Sequence, residues 1–302
     1  YKPPRNVLLA FFADEEASGT YGSRWLVKNR PELFAGYSEA VSEVGGFSVT
    51  INGGHRLYLV EAAQKGIAWI KLSAKGTAGH GSFINRDNAV TKVSDAVSRI
   101  GNYQWPQLLT KTTTQFFKKI AELTGDKFDP KNVQPLLNYL GNAVKMLGAT
   151  ISNTANPTML EAGYKANVIP QNASAVIDGR FLPGYENDLH ETIKKLAGDE
   201  IEVEVLTRDI ALEAEFAGPL VEAMCKAINV EDSAGIPVPY LMSGGTDNKA
   251  LHDLGIVGYG FSPLRLPEDL DFFALFHGVD ERVPIDGLKF GVRVLYEFLE
   301  NI

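Results

Sequence analysis

Seven apolar residues in succession, Val7–Ala13, end on three acids, Asp14-Glu15-Glu16, and then on Ala17-Ser18-Gly19. A strand with one face in water alternates apolar and polar residues. An unbroken apolar run instead predicts a strand buried on both faces, as in a parallel sheet covered by helices. In open α/β sheets the carboxyl ends of the strands form the ligand edge. Three carboxylates packed there repel one another, and a divalent cation commonly neutralises them, with one carboxylate ligating and another left as a base. A solvated helix start favoured by the helix dipole is the plainer reading of the same triplet.

The pattern changes further along. Ile67–Ala74 alternates, with Ala68, Ile70, Leu72 and Ala74 on one side, which predicts a sheet with one exposed face. Asn88–Ile100 carries Ala89, Val90, Val93, Ala96, Val97 and Ile100 at helical spacing. Helices are expected at Thr113–Leu123, Val133–Leu147 and Glu186–Ala197, and strands at Ser174–Phe181 and Ile201–Leu206. In Ser174–Phe181, Ala175, Ile177 and Phe181 point inward and Asp178 and Arg180 outward. The flanks alternate strand and helix: Val7–Ala13, Tyr21–Lys28, Glu39–Val44, then Pro219–Asn229, Val238–Met242, Asn248–Asp253, Ile256–Phe261 and Ile285–Leu299. The expected fold is α/β. A doubly wound, mostly parallel sheet domain, 1–64 and 209–302, is interrupted by an inserted α+β domain, 65–208.

Composition narrows the function. With 302 residues there is room for two cores, and a net charge of −8 argues against nucleic acid or an anionic membrane as the main partner. Cys225 is the single cysteine, so no internal disulfide forms; Leu220, Val221, Met224, Ala227 and Ile228 around it mark a packing role. No apolar stretch approaches the roughly 20 residues that span a bilayer. No signal-peptide pattern is present, and the expected location is the cytoplasm. The chain opens on Tyr1 rather than Met, which reads as a sequence lacking its natural beginning.

Of the five histidines, His55, His190 and His252 read as surface or capping residues. His80 lies in Thr77-Ala78-Gly79-His80-Gly81-Ser82, where flanking glycines permit close approach to a ligand, although a turn histidine is the commoner meaning of such a string. His277 ends the apolar run Phe272–Phe276, as a core histidine or as a ligand. There is no His-x-x-x-His, Cys-x-x-Cys or His-x-Asp, so any metal site must be assembled from distant segments. Ser243-Gly244-Gly245-Thr246-Asp247 sits between an expected strand and helix, as an anion-binding backbone or a plain tight turn.

Read in order, these strings resemble the dinuclear zinc amidohydrolases that include carboxypeptidase S, aminoacylase-1 and succinyl-diaminopimelate desuccinylase. The matching strings are Phe12-Ala13-Asp14-Glu15-Glu16, Glu43-Val44-Gly45-Gly46, Gly79-His80-Gly81-Ser82, Asn167-Val168-Ile169-Pro170, Asp178-Gly179-Arg180, Gly244-Gly245-Thr246-Asp247-Asn248 and His277-Gly278-Val279-Asp280-Glu281-Arg282. The last two look most like the carboxypeptidase S branch. The resemblance implies Glu15 as general base, Glu16 and His277 as ligands of one metal, and Glu43 as terminal ligand of a second. Two zinc ions per site, or cobalt or manganese, are implied. So is an inserted lid that forms a homodimer, with His80 serving the partner's site. Asn167, Arg180 and the Gly245–Thr246 backbone are implied to hold a substrate carboxylate. The implied substrate is a small peptide cleaved by a carboxypeptidase or dipeptidase. An N-acyl amino acid deacylase is the nearest alternative, and an inactive fragment with a dimerising lid is another. In the family a His-x-Asp motif and a bridging aspartate precede the acidic triplet. Neither stands ahead of Asp14 here, which implies that the amino-terminal part is absent.

Overall fold

The computed structural model describes residues 3–302. Its strands, in chain order, are β1 (Glu39–Ser42), β2 (Ser48–Ile51), β3 (His55–Gln64), β4 (Gly66–Lys75), β5 (Gly79–His80) and β6 (Thr154–Ala162). There follow β7 (Val168–Ile169), β8 (Asn172–Phe181), β9 (Glu202–Asp209), β10 (Leu212–Glu213), β11 (Ile236–Met242) and β12 (Val257–Gly260). The helices are α1 (Ser23–Asn29), α2 (Ala89–Gly101), α3 (Lys111–Thr124), α4 (Gln134–Leu137), α5 (Val144–Leu147), α6 (Glu186–Ala197), α7 (Pro219–Glu231), α8 (Asn248–His252) and α9 (Ile285–Asn301).

The chain divides into two compact units. One holds residues 1–64, 109–151 and 212–302; the other holds 65–108 and 152–211. This differs from the expected single insertion over 65–208. Phe116, Phe117 and Ile120 of α3, with Leu136 and Leu140, share a core with Leu57, Leu59 and Val238, so the middle excursion belongs to the first unit. The expected helix Val133–Leu147 is broken into α4, 3-10 turns and α5, and Gly141 lies at φ +54°, outside helical space.

In the first unit β3 is the organising strand. Leu57 and Leu59 face one core, while Tyr58, Val60 and Ala62 face the other, beneath α7 and α9. β11 runs parallel to β3, β12 and β2 run antiparallel to it, and β1 lies parallel to β12. Pro237 and Pro239 sit in β11, which among the described residues pairs only with β3; an outer strand tolerates proline because its outward N–H groups need no partner. The run Val7–Ala13 is not a strand here. Val7 is 41% exposed and Phe11 93%, and among the described residues no strand pairs with the segment. An apolar run is stabilised as a strand only by hydrogen-bonded neighbours and a covered face.

In the second unit the antiparallel order is β6-β8-β4-β9, with α2 and α6 on one face. Ala68, Ile70, Leu72 and Ala74 point into that core beside Ala175, Ile177 and Phe181, as the alternation predicts. α2 starts where Asn88 accepts the Val90 N–H at 2.9 Å, and it buries Ala89, Val93, Ala96 and Ile100.

One polar node stabilises the first unit. Asp232 accepts from Arg56 at 2.7 Å and from the Tyr58 hydroxyl at 2.8 Å. Burial alone would raise this carboxyl, but those bonds hold it below the usual carboxylate value. Asp232→Asn should therefore lose about 2 kcal/mol at neutral pH, the scale of a charged hydrogen bond. The depressed folded value makes this contribution complete above about pH 4, the unfolded carboxylate value, and lost as pH falls through the folded one. Urea unfolding followed by hydrogen exchange of β3, at pH 7 and pH 3, should show the variant and the parent converging in acid.

Candidate functional site

The acidic triplet forms a tight loop rather than a helix start on a strand end. Asp14 takes a left-handed conformation, φ +52°, and its carboxylate accepts the N–H groups of Tyr21 at 2.9 Å and Gly22 at 2.7 Å. A single 3-10 turn, Glu15–Ala17, then presents the two glutamates. A Cβ on Gly22 would stand 2.0 Å from the Ala13 carbonyl oxygen, so only glycine closes the loop without moving the backbone. Asp14 is thus a bracing residue of the triplet.

Three other segments bring their side chains to this loop. Glu43 follows β1, and Thr246 and Asp247 lie between β11 and α8. His277, at φ +55°, follows a 3-10 turn whose Phe272 and Phe273, with Phe276 beyond it, pack on Phe47 at ring-centroid distances of 5.4, 5.5 and 6.5 Å. A bulky residue at positive φ is strained, and Asp14 and His277 both lie in this neighbourhood.

The electrostatics tie these segments together. Burial, then the charges of Glu43, Asp247 and Glu16, push Glu15 up to about 7, and His277 opposes them. Glu43 is raised by burial and by Asp247 and Glu16, against a backbone hydrogen bond. Asp247 is raised by burial and by Asp14, against a hydrogen bond from Ser23 and the charge of Arg24. Glu15, Glu16, Glu43 and His277, proposed from distant parts of the sequence, therefore share one electrostatic neighbourhood.

Beneath them lies a layer that sequence reasoning did not find. Glu61 in β3 is 1% exposed, and burial pushes its carboxyl up to about 8, with Glu43 raising it and Gln64 and Lys249 opposing. Gln64 is equally buried. Its amide nitrogen donates to Glu61 at 3.2 Å and to the Thr246 hydroxyl at 2.8 Å, and its oxygen accepts the Thr246 N–H at 3.1 Å. The expected use of the Thr246 backbone to hold a substrate carboxylate meets an N–H already engaged. Gly245 presses on the buried Lys249 side chain, where an added Cβ would lie 2.6 Å from its Cε. No periodicity or motif marks Gln64; Asp247 was visible only inside the Gly-Gly-Thr-Asp string.

The second unit carries the remaining candidates. His80 pairs with Val168 across β5 and β7, its Nδ1 lies 2.8 Å from the Ser82 hydroxyl, and Gly81 donates to the Asn167 carbonyl at 2.9 Å. His80 and Asn167 are thus neighbours. Arg180 lies in the same unit, on β8. It lies eight residues along β8 from Asn172, about 26 Å at 3.3 Å per residue. Its guanidinium is engaged by Asp178, at 2.7 and 3.0 Å. Buried Lys65 donates to the Ser152 carbonyl at 2.8 Å; burial and the charge of Arg180 push it down to about 7, against Asp178.

Burial and mutual repulsion of the carboxylates fit the charge of a divalent cation, and carboxylate plus imidazole fits the donors zinc takes. Among the described residues, however, no three His, Cys, Asp or Glu side chains converge as a metal-ligand set. The residues supply the charge for such an ion without a closed cage.

The chain thus combines an α/β unit that carries an acidic cluster with a second, α+β unit, and comparisons show what it is similar to. Residues 62–203 match the peptidase dimerisation domain family. The chain is 27% identical over its whole length to "Probable carboxypeptidase S-like 2" of Dictyostelium discoideum, covering 60% of that protein. It is 25% identical to the human "N-fatty-acyl-amino acid synthase/hydrolase PM20D1", covering 62% of it. In fold it resembles the M20 family metallo-carboxypeptidase Sso-CP2 of Sulfolobus solfataricus, with a TM-score of 0.66, 16% identity and coverage of 95% of this chain and 68% of that one. The chain spans about three fifths of the length of the curated relatives it matches.

Gly22→Ala should destabilise the loop by about 1–3 kcal/mol, the scale of forced overpacking. Faster amide exchange at Tyr21 and Gly22, together with a lower melting temperature, is the expected readout.

Proposed function

We propose that this chain carries part of the active site of a metal-dependent hydrolase that cleaves an amide bond next to a free carboxylate, in a small peptide. The observation that supports this most is the shared neighbourhood of Glu15, Glu16, Glu43 and His277, with the Glu15 carboxyl near 7. A base whose pKa lies near working pH is at its most effective. Glu15 takes a proton from the attacking water as its oxygen bonds to the amide carbon. When the C–N bond breaks, Glu15 returns that proton to the leaving amine. Glu16, Glu43 and His277 are the residues proposed to hold metal. A zinc ion bound there would lower the pKa of water and polarise the carbonyl.

His80 is proposed to act in the partner subunit's site of a homodimer, donating to the oxyanion. The match of residues 62–203, which include His80, to the peptidase dimerisation domain family supports this. Arg180 would receive the substrate carboxylate by releasing Asp178, an exchange of one carboxylate for another on the same fork. A second reading, hydrolysis of N-acyl amino acids, is favoured by the name of the human relative. Both substrates present an amide beside a carboxylate.

Two experiments test this in a protein with the relatives' full span. Glu15→Gln should keep metal content, measured by elemental analysis, and reduce turnover by roughly 10²–10⁴-fold. Loss of metal together with turnover would make Glu15 a ligand and reverse the roles of the adjacent pair. A mixed dimer of His80→Ala and Glu15→Gln subunits should regain up to about half the parent activity per heterodimer, because one site of the two then carries both defects and the other neither. No recovery, with subunit exchange verified, places His80 in its own chain's site.

A further inference from the structure

Asp14 through Glu16 must be held at a fixed distance from Asp247 and Glu43 for their charges to couple as they do, yet all three lie on loops. One polar path runs between these loops inside the first unit. Glu61 accepts from Gln64 at 3.2 Å, and Gln64 engages Thr246 through both its amide nitrogen, at 2.8 Å, and its oxygen, at 3.1 Å. The Thr246 hydroxyl also accepts the Asn248 N–H at 3.2 Å, which fixes the start of α8. Asp247, the next residue, accepts a hydrogen bond from Ser23. Ser23 opens α1 and adjoins Gly22, whose N–H is bound by Asp14 at 2.7 Å. Gln64, Thr246 and Ser23 are all buried.

The middle of this path has a strict chemical requirement. The Thr246 N–H can only donate, so it needs an acceptor; the Glu61 oxygen faces a nitrogen that must donate. A carboxamide supplies both from one planar group. A carboxylate in its place lacks the donor, and an apolar side chain lacks both. An unmet buried donor loses more than the hydrogen bond itself, since its desolvation goes uncompensated.

We propose that Gln64 is a positioning residue: its carboxamide couples β3 to the Gly244–Asp247 turn, and through Asp247 and Ser23 holds the Asp14–Glu16 loop that presents the base. The consequence for hydrolysis rests on the role proposed for Glu15; the coupling itself does not.

Amide hydrogen exchange by NMR on the 302-residue chain tests it without substrate, so a failed coupling and a failed hydrolase reading are told apart. In the unsubstituted chain the Gln64 side-chain amide protons should exchange at least tenfold more slowly than those of exposed Gln171; equal rates overturn the proposal, whatever the variants do. Gln64→Leu should raise Thr246 exchange at least tenfold relative to Val60 in the core of β3, and Gly22 exchange at least threefold. An unchanged Thr246 overturns the coupling, and an unchanged Gly22 overturns its extension to the acidic loop. Gln64→Glu keeps an acceptor for the Thr246 N–H but sets two carboxylates face to face at residues 61 and 64, and should raise Thr246 exchange above the parent yet less than Gln64→Leu does. The exchange of roles in Glu61→Gln/Gln64→Glu restores a donor on residue 61 and an acceptor on residue 64, and should bring Thr246 to within threefold of the parent. A space-filling role for Gln64 predicts no such recovery, so a double variant as fast as Gln64→Glu alone also overturns the proposal.

Discussion

The desolvation of like charges at one end of a single strand governs the first unit. β3 is buried on both faces from Leu57 onward, and its carboxyl end buries two polar side chains, Glu61 and Gln64. A buried carboxylate is tolerated only when it is hydrogen-bonded, countered by charge or protonated. Here Gln64 supplies the hydrogen bond and Lys249 the opposing charge. The same penalty operates one layer further out, where Glu15, Glu43 and Asp247 are all raised chiefly by burial. The sheet thus carries a column of acids from its interior to its edge. Each layer makes the next harder to ionise unless positive charge arrives from outside.

Backbone geometry resists that repulsion. Asp14 and His277 take left-handed conformations, and the Phe272–Phe276 cluster wedges the His277 segment against Phe47, three residues beyond Val44. Strain of this kind persists when surrounding packing over-determines the conformation. Aromatic packing and the bracing bonds of Asp14 fill that role.

Much of the second unit was legible in advance. The alternation of Ile67–Ala74 and Ser174–Phe181 and the helical spacing of Asn88–Ile100 depend on one buried face each, which a sequence pattern encodes directly. Strand β3 was not legible, because Tyr58 and Glu61 interrupt its apolar run although both are buried. Their burial is met by Asp232 and Gln64, residues at opposite ends of the chain order or of the strand. Val7–Ala13 misled for the converse reason: its composition suits a buried strand, but composition does not supply the neighbouring strand. At the site, Glu15, Glu16, Glu43 and His277 came from matching strings. Gln64, whose importance lies in where a hydrogen-bond donor and acceptor point, has no string to match. Arg180 was placed on the correct outward face, but its engagement with Asp178 is a property of side-chain geometry rather than of pattern.

The two prolines of β11 have a consequence for how the first unit meets other molecules. Along that margin, Pro237 and Pro239 remove successive N–H groups that would point away from β3, so an approaching extended segment finds carbonyls but few donors. The opposite margin, β1, has no proline and pairs parallel with β12 alone among the described residues. The sheet is therefore polar in its capacity to grow. Extension by a further strand, from any source, is chemically closed on one side and open on the other, and the open side is the one from which Glu43 emerges.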